Sequence, residues 1–253
     1  MKRIYISLLA LFLATAGLSG NALSQDSKAL ANAVVSASDR SPEDRAMDAG
    51  RKPAELLAFV GVQPGWRIAD LGAGGGYTTE LLQRAVGKDG VVYGQNSKKL
   101  LEMFLEKPWS ARLDKPAMKG VQRLDRDFDD PFPPDMRPLD AVTMVLFYHD
   151  TVWLGVNRDA MNKAVFNALK PGGVFVIVDH SARSGDGVTV TSSLHRIEED
   201  VVKSEVLAAG FVLDGQANFL RNKDDTRDWN DSPRAAGDRR GTSDRFVLRF
   251  RKP

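Results

Sequence analysis

The sequence predicts an α/β protein in which a mostly parallel β-sheet is covered by helices on both faces. One observation is that short β-branched or apolar runs alternate with amphipathic helical segments along most of the chain. A second is the glycine-rich turn Gly72–Gly76, which lies directly between such a run and such a helix. Strands separated by helices return to a sheet in the same direction, which gives a parallel sheet. The 253 residues, 43% of them hydrophobic, suffice for one large core.

The first 24 residues have the pattern of a secretory signal peptide. Lys2 and Arg3 give a positive start, and the apolar run Ile4–Leu18 follows. Cleavage is expected after a small residue, at Ala22 or Ser24. The apolar run has about 15 residues, whereas a transmembrane helix needs about 20. We therefore expect a periplasmic or secreted bacterial protein with no stable membrane span after cleavage. An uncleaved signal anchor is the alternative.

Composition excludes several classes of partner. The formal net charge is +2, and removing Lys2 and Arg3 leaves 33 basic and 33 acidic residues. Because no sustained basic stripe exists, nucleic acid is not an expected partner. The chain has no cysteine, which excludes disulfides and thiolate metal sites. No metal site is predicted, and the sequence does not indicate the oligomeric state.

Residues 25–52 are predicted to form a helical extension that precedes a main domain at residues 53–253. A short helix is expected at Lys28–Ala37. A second helix should begin at Ser41, which can cap free amides, with a proline at the first helical position. A third begins at Lys52–Glu55 and ends at Gly61.

The main domain contains seven runs with the character of strands: Trp66–Leu71, Gly90–Gln95, Val121–Arg126, Leu139–Tyr148, Val174–Asp179, part of Phe211–Leu220, and Asp244–Arg251. Between them, helices are predicted at Thr78–Val86, Ser97–Leu105, Asp159–Leu169 and Ile197–Ala209. The polar stretch Arg221–Ser243, with a lone Trp229, predicts a long and flexible surface loop.

The glycine-rich turn is the most informative motif. Gly72, Gly74 and Gly76 follow a strand and precede a helix, and Asp70 lies two residues before the first of them. Such a turn brings free helix-terminal amides and bare backbone to a ligand above the strand end. A dinucleotide-binding loop would need a small residue where Tyr77 stands. The motif therefore disfavours a nicotinamide oxidoreductase, which stays a minor alternative.

The chain from Pro53 to Pro253 resembles the class I S-adenosylmethionine (SAM) methyltransferases. Two motifs carry the resemblance: the Asp-x-Gly-x-Gly-x-Gly form at Asp70–Gly76, and a Leu-Lys-Pro-Gly-Gly turn at Leu169–Gly173. The resemblance implies a Rossmann-like fold with a seven-stranded, mostly parallel sheet and an antiparallel hairpin at one edge. Within the family, the chain looks most like a group of exported predicted methyltransferases, marked by Tyr148–Asp150, His195–Ile197 and Phe246–Pro253.

The resemblance also implies roles in binding SAM. The three glycines would lie under the methionine part, and Asp70 would hold its ammonium group directly or through water. The family usually has an acid after the second strand, which binds both ribose hydroxyls. Gln95 and Asn96 stand there instead and can hydrogen-bond a diol without charge assistance. Asp127 and Phe128 would lie near the adenine.

Candidate catalytic residues follow the fourth and fifth strands. Methyl transfer to oxygen benefits from a base that removes the hydroxyl proton, and histidine suits that task near neutral pH. His149, with Tyr148 beside it, is the first candidate and His180 the second. The alternative is that either histidine caps a strand end. His195 is expected to open a helix and to hold its start.

Two further questions stay open at this point. Arg45, Asp48, Arg51 and Lys52 form either a solvated helix face or a lid over the cofactor, with Arg51 touching its carboxylate or the substrate. The chain is expected to be a methyltransferase acting on a small-molecule acceptor. The alternative is a SAM- or nucleoside-binding protein on the same scaffold that transfers nothing.

Overall fold

The computed structural model describes residues 18–136 and 138–253, with side chains described from residue 25 onward. Most of the predicted signal peptide, residues 1–17, lies outside the described residues. The helices are α1 Leu18–Ser36, α2 Pro42–Arg51, α3 Pro53–Val60, α4 Tyr77–Val86, α5 Lys98–Leu100, α6 Glu106–Leu113, α7 Tyr148–Trp153, α8 Arg158–Ala168, α9 Thr191–Leu194 and α10 Glu199–Ala208. A π-helical turn at Leu101–Leu105 joins α5 to α6, and 3₁₀ turns lie at Pro116–Met118 and Gly237–Arg239.

Seven strands form one sheet, as the sequence predicts. They are β1 Arg67–Leu71, β2 Val91–Asn96, β3 Gln122–Asp125, β4 Leu139–Val145, β5 Leu169–His180, β6 Val212–Ala217 and β7 Arg245–Arg251. The strand order is β3-β2-β1-β4-β5-β7-β6. The strands β1 to β5 pair in parallel, and β7 pairs antiparallel with both β5 and β6. This is the Rossmann-like methyltransferase fold, with the order reversing at β1 and β4.

Helices cover both faces of the sheet because successive strand residues point to opposite sides. Ile68 packs on the face that α1, α3 and α4 cover, whereas Ala69 faces α6, α8 and α10. The helix α1 joins this core through Ala31 and Val34, and it runs across residue 24, where the predicted leader ends. None of the helices in the described ranges is both long and apolar enough to cross a membrane.

Three local predictions are wrong. The fourth strand ends at Val145 rather than Tyr148, because Leu146 adopts a left-handed φ of 58° and α7 begins two residues later. His195 does not open a helix; it ends α9, and the next helix starts at Glu199. The 221–243 segment is a loop with one 3₁₀ turn, but its Trp229 is buried rather than exposed.

Candidate functional site

The glycine loop between β1 and α4 has a shape that side chains would prevent. Gly72 and Gly76 have φ of 65° and 80°, in the left-handed region. A Cβ at Gly72 would lie 2.5 Å from the ring of Phe147, and one at Gly76 would lie 2.6 Å from the ring of Trp109. The loop therefore needs glycine both for its backbone turn and for the close approach of two aromatic rings.

Gln95 and Asn96, at the end of β2, hold this loop in place. The Gln95 side-chain oxygen accepts from the Gly72 amide at 3.1 Å, and its Nε2 donates to the Arg126 carbonyl at 2.6 Å. The Asn96 side chain accepts from the Gly74 amide at 2.9 Å and donates to the Gly74 carbonyl at 3.1 Å. Both side chains are fully buried. The structure places them under the loop as its supports, rather than open towards a ribose.

Asp70 lies below the same loop and is fully buried. Its carboxylate accepts hydrogen bonds from Thr79 Oγ1 at 2.7 Å and from Thr143 Oγ1 at 2.8 Å. Burial raises the pKa of Asp70 to about 6, although the two hydroxyls and the charge of Arg51 act in the opposite direction. The site thus has a carboxyl group that changes its charge just below neutral pH.

The helix α2 lies against the loop and is fixed by two ion-pair networks. Arg112 donates to the Gly75 carbonyl at 2.9 Å and pairs with both Asp44 and Glu80. Tyr77 donates to Asp48 at 2.7 Å, and Arg40 binds the same carboxylate through two hydrogen bonds. Asp48, in the second network, and Arg51 are turned inward from α2. Arg45 and Lys52 are exposed. The structure therefore agrees with a cover more than with a solvated face.

A cavity of about 290 Å³ lies between α2 and the loop. Asp70, the backbone of Gly72–Gly75, Phe147 and the side chains of Arg51 and Arg240 line it. Arg112 also lines it but is neutralised by its two carboxylate partners. Within the described part of the chain, the Arg51 guanidinium has no hydrogen bond or ion pair, and it lies 4.8 Å from the Tyr77 ring centroid. The cavity therefore combines a buried carboxyl group with a guanidinium that lacks a carboxylate partner.

The residues expected near an adenine lie outside this cavity. Phe128 is buried and stacks on Phe147 with 4.9 Å between ring centroids. To hold a third ring between them, the two phenylalanine rings would have to be about 7 Å apart, which is twice the usual contact distance between carbon atoms. Asp127, beside it, is exposed. An adenine can therefore reach Phe128 only if Phe147 or the following loop moves.

All three histidines of the chain meet at the carboxyl edge of β4 and β5. His149 lies 5.5 Å from His180 and 5.3 Å from His195, measured between ring centroids. His149 Nδ1 lies 2.7 Å from Asp179 Oδ1, and the His149 amide donates to Asp179 Oδ2 at 2.7 Å. Its Nε2 lies 3.1 Å from Asp150 Oδ1 and 3.2 Å from His195 Nδ1. We call His149, Asp150 and His195 the histidine cluster.

The charges around His149 do not suit the base that the sequence predicts. Burial alone would lower the pKa of His149, but Asp179 and Asp150 outweigh it and raise the pKa to about 10. A general base must be unprotonated at the working pH. The arrangement instead favours a positive charge at this position.

The other two catalytic candidates lie in different surroundings. Tyr148 is fully buried, and its hydroxyl donates to Glu205 and accepts from Asn162, each at 2.8 Å. Because neighbouring helix positions point about 100° apart, Tyr148 faces α8 and α10 while His149 faces β5. Tyr148 therefore packs in the core and does not join the histidines, which corrects the prediction. The His180 Nδ1 lies 2.8 Å from Ser243 Oγ and pairs with Asp231. Burial lowers the pKa of His180, against the effect of Asp231.

The 221–243 loop takes part in this region, contrary to expectation. Arg196 and Asp225 form a fully buried ion pair at 2.7 Å, and Trp229 packs on the Arg196 guanidinium at 4.7 Å. The pair fastens the loop beside His195. The adjacent residues His195 and Arg196, which the family resemblance singles out, were the one sequence signal that could have pointed to this contact.

The strand order and the glycine-rich loop together define a class of fold, and comparison with solved structures finds the same fold. The chain has a TM-score of 0.58 with a SAM-dependent methyltransferase from Aquifex aeolicus, at 16% identity, covering 79% of this chain and 88% of that one. A methyltransferase from Haloferax volcanii, solved in complex with the Trm112 methyltransferase activator, gives 0.57 at 19% identity over 88% and 97% of the two chains. An arsenic(III) SAM methyltransferase from Chlamydomonas reinhardtii gives 0.51 at 14% identity over 76% and 64%.

These likenesses show the fold. No protein-family model matches the chain, and the search of curated proteins found no match.

Proposed function

We propose that this protein is a SAM-dependent methyltransferase whose acceptor is a small molecule. The observation that carries the proposal is the cavity at the glycine loop, which has Asp70 at its base and Arg51 on its wall. The amino-acid end of SAM carries an ammonium and a carboxylate, and these two side chains have the opposite charges. A guanidinium is also the side chain best suited to binding a carboxylate through two hydrogen bonds.

The residues fit the amino-acid end of SAM better than its adenosine end. The cavity of about 290 Å³ is at the lower limit of ordinary ligand sites, which begin at roughly 300 Å³. Bound SAM would supply an electrophilic methyl group. Asp70 would bind the ammonium, Arg51 the carboxylate, and α2 would exclude water from them. Contact between the adenine and Phe128 would need Phe147 or the following loop to move.

The neighbours in structure support this class of reaction but not a particular acceptor. By their names, one neighbour is an arsenic(III) SAM methyltransferase, and another was solved in complex with a methyltransferase activator. The sequence has no sustained run of basic residues, and the chain has nearly equal numbers of basic and acidic residues. A small-molecule acceptor therefore agrees better with this composition than a nucleic acid does.

A second candidate is a protein that binds SAM or a related nucleoside and transfers nothing. It is favoured by Gln95, which occupies the position of the usual ribose-binding acid and is committed to the Gly72 amide. Methyl transfer from labelled SAM to a panel of small acceptors distinguishes the two. If His149→Ala abolishes transfer while cofactor affinity stays intact, the non-catalytic alternative is excluded.

Calorimetric titration with S-adenosylhomocysteine (SAH), the demethylated product, tests the cofactor site. We expect one molecule bound per chain, and we expect Arg51→Ala to weaken binding by about tenfold or more, since a charged hydrogen bond contributes about 1.5–3 kcal/mol. Arg45→Ala is the matched control, because Arg45 lies on the same helix, is exposed and does not line the cavity. If no heat is detected at millimolar SAH or SAM, or if both variants bind equally well, the proposal fails.

We also propose that the protein is exported and processed. The pattern of the first 24 residues supports this. N-terminal sequencing of protein from a cell-envelope fraction should give a chain beginning at Leu23 or Gln25. A full-length chain confined to the cytoplasmic fraction would contradict the proposal.

A further inference from the structure

The histidine cluster brings three electron-pair donors to one point. His149 Nε2 and His195 Nδ1 are 3.2 Å apart, and Asp150 Oδ1 lies 3.1 Å from the first and 3.3 Å from the second. The three atoms therefore form a nearly equilateral triangle. They come from two separate parts of the chain, the start of α7 and the end of α9.

The size of this triangle matches three ligands on one face of a metal ion. Imidazole nitrogen and carboxylate oxygen bind Zn²⁺ at about 2.0–2.2 Å. Two ligand atoms at about 2.1 Å are about 3.0 Å apart when they subtend 90° at the metal, and about 3.4 Å apart at the tetrahedral angle. All three observed edges fall between these limits.

Hydrogen bonds from neighbouring groups orient two of the three donors towards that point. Asp179 is fully buried and is held by the backbone amides of His149 and His180, at 2.7 Å and 2.8 Å. A carboxylate can only accept, so His149 Nδ1 must carry the proton of the 2.7 Å bond between them. Its Nε2 can then act as a ligand once its own proton is released on metal binding. A histidine that donates its other N–H to a carboxylate is the usual arrangement at protein metal sites.

Asp150 is oriented in the same way. Trp153 Nε1 donates to Asp150 Oδ1 at 2.7 Å, which leaves a second lone pair on that oxygen for the centre of the triangle. His195 is held with a φ of 53°, in the left-handed region, at the end of α9. A non-glycine residue rarely adopts this conformation unless its surroundings require it.

The charges of the cluster also call for a cation. The carboxylates of Asp150 and Asp179 both lie against His149, and a metal ion would take the place of any proton on its Nε2, because metal ligands must be deprotonated. One divalent ion would neutralise both carboxylates and occupy the point of convergence. The side chains of Asp150 and His195 are 17% and 23% exposed, so one side of the triangle opens to solvent. That side leaves coordination positions for water or a substrate oxygen.

We propose that His149 Nε2, Asp150 Oδ1 and His195 Nδ1 bind one divalent first-row transition-metal ion. Two imidazoles and one carboxylate on one face suit Zn²⁺, Fe²⁺ and similar ions better than Mg²⁺ or Ca²⁺, which prefer oxygen ligands. The assignment makes His149 a ligand rather than a general base. It is independent of the SAM proposal, because none of the three residues lines the cavity at the glycine loop.

The test uses protein purified without a polyhistidine tag, stripped with a chelator and titrated with Zn²⁺ and, separately, Co²⁺. We expect one equivalent of either ion, and visible absorption bands for bound Co²⁺. The variants His195→Ala and Asp150→Ala should each bind the metal more than about 100-fold more weakly, since even the loss of a group that hydrogen-bonds to a ligand costs about 10–100-fold. Asp179→Asn should weaken metal binding by about 10–100-fold. Circular dichroism establishes that each variant is folded.

His180→Gln is the matched control. His180 packs against His149, but its Nδ1 is engaged with Ser243 and Asp231 and lies outside the triangle. This variant should keep one metal equivalent with nearly unchanged affinity. Absence of binding in a large excess of Zn²⁺ and of Co²⁺ would overturn the proposal. So would binding that survives in folded His195→Ala and Asp150→Ala, or binding that is lost equally in His180→Gln.

Discussion

Asp70 is the residue whose protonation should control how tightly the cofactor binds. Burial raises its pKa to about 6, so its carboxyl group is largely neutral at pH 5 and largely ionised at pH 7. The ammonium of the cofactor is attracted to the ionised form only. We therefore expect SAH affinity to increase about tenfold between pH 5 and pH 7, in proportion to the ionised fraction.

Calorimetry across this range measures the effect, and Asp70→Asn is its control. The variant keeps the size of the side chain but cannot ionise, so its affinity should be lower and nearly independent of pH. An equally steep pH dependence in Asp70→Asn would assign the titration to another group.

Gly76 allows a comparison that separates backbone strain from packing. Gly76 and Gly65 have nearly the same φ, 80° and 82°. A Cβ at Gly76 would lie 2.6 Å from Trp109, whereas no atom lies within 4 Å of one at Gly65. We expect Gly65→Ala to lower the free energy of unfolding by about 1–2 kcal/mol, the cost of a left-handed conformation. Gly76→Ala should lower the free energy of unfolding by about 1–3 kcal/mol more than Gly65→Ala does, because the Trp109 ring must move.

Urea unfolding of the two variants provides the measurement. SAH binding should weaken only in Gly76→Ala, since Trp109 and the loop shift together there. Equal destabilisation of both variants would show that the contact with Trp109 is not tight in solution.

At the scale of elements, the 221–243 loop depends on the buried pair of Arg196 and Asp225. Their side chains are 0% and 1% exposed. Arg196→Met removes one partner and leaves Asp225 as a buried carboxylate, which typically costs about 3–5 kcal/mol. Arg183→Met is the matched control, because Arg183 pairs with Asp228 of the same loop with both side chains more than half exposed. Loss of this exposed pair should lower the free energy of unfolding by less than about 1 kcal/mol.

Chemical denaturation and limited proteolysis would measure both effects. We expect protease cuts within residues 221–243 to appear readily in Arg196→Met and at the wild-type rate in Arg183→Met. Similar destabilisation in the two variants would indicate that the loop does not depend on the buried pair.

At the scale of the whole molecule, α2 connects the region before the main domain to the ligand cavity. It is fastened by Asp44 and Asp48 to partners on α4 and α6, and its last residue, Arg51, lines the cavity. Ligand binding should therefore stabilise a helix that lies outside the sheet. We expect SAH to slow amide hydrogen exchange in α2 and in the glycine loop.

The edge strand β6 serves as the internal control for this experiment, because it is far from the cavity in the strand order. Its exchange should change only as much as global stability does. Saturation at about 100 times the dissociation constant adds about 2.7 kcal/mol to the folded state. Unchanged exchange in α2 at saturation would mean that the helix does not close on the ligand.

The sequence predicted the strands, most helices and the glycine loop because local patterns determine them. Alternating apolar runs and capping residues such as Ser41 act within a few positions of the chain. The roles of Gln95 and Asn96 could not be read in the same way. Their amides are consumed by loop residues more than 20 positions away, and only the fold shows which polar atoms are left for a ligand.

The histidine cluster was beyond prediction for a similar reason. His149 and His195 are 46 positions apart and meet only because α9 turns back onto α7. The fourth strand ends three residues earlier than predicted, so Tyr148 opens α7 and is buried in the core instead of ending a strand. Chain separation and helix phase, rather than composition, decided both outcomes.

The position of β7 sets the order in which the sheet can be completed as the chain emerges from its amino end. The strand β6 precedes β7 in the chain, yet among the described strands it pairs with β7 alone, and β7 lies between it and β5. Until β7 has emerged, β5 keeps an open edge and β6 has no partner. Open edges invite pairing with other chains. The emerging chain should therefore depend most on chaperones just before β7 appears.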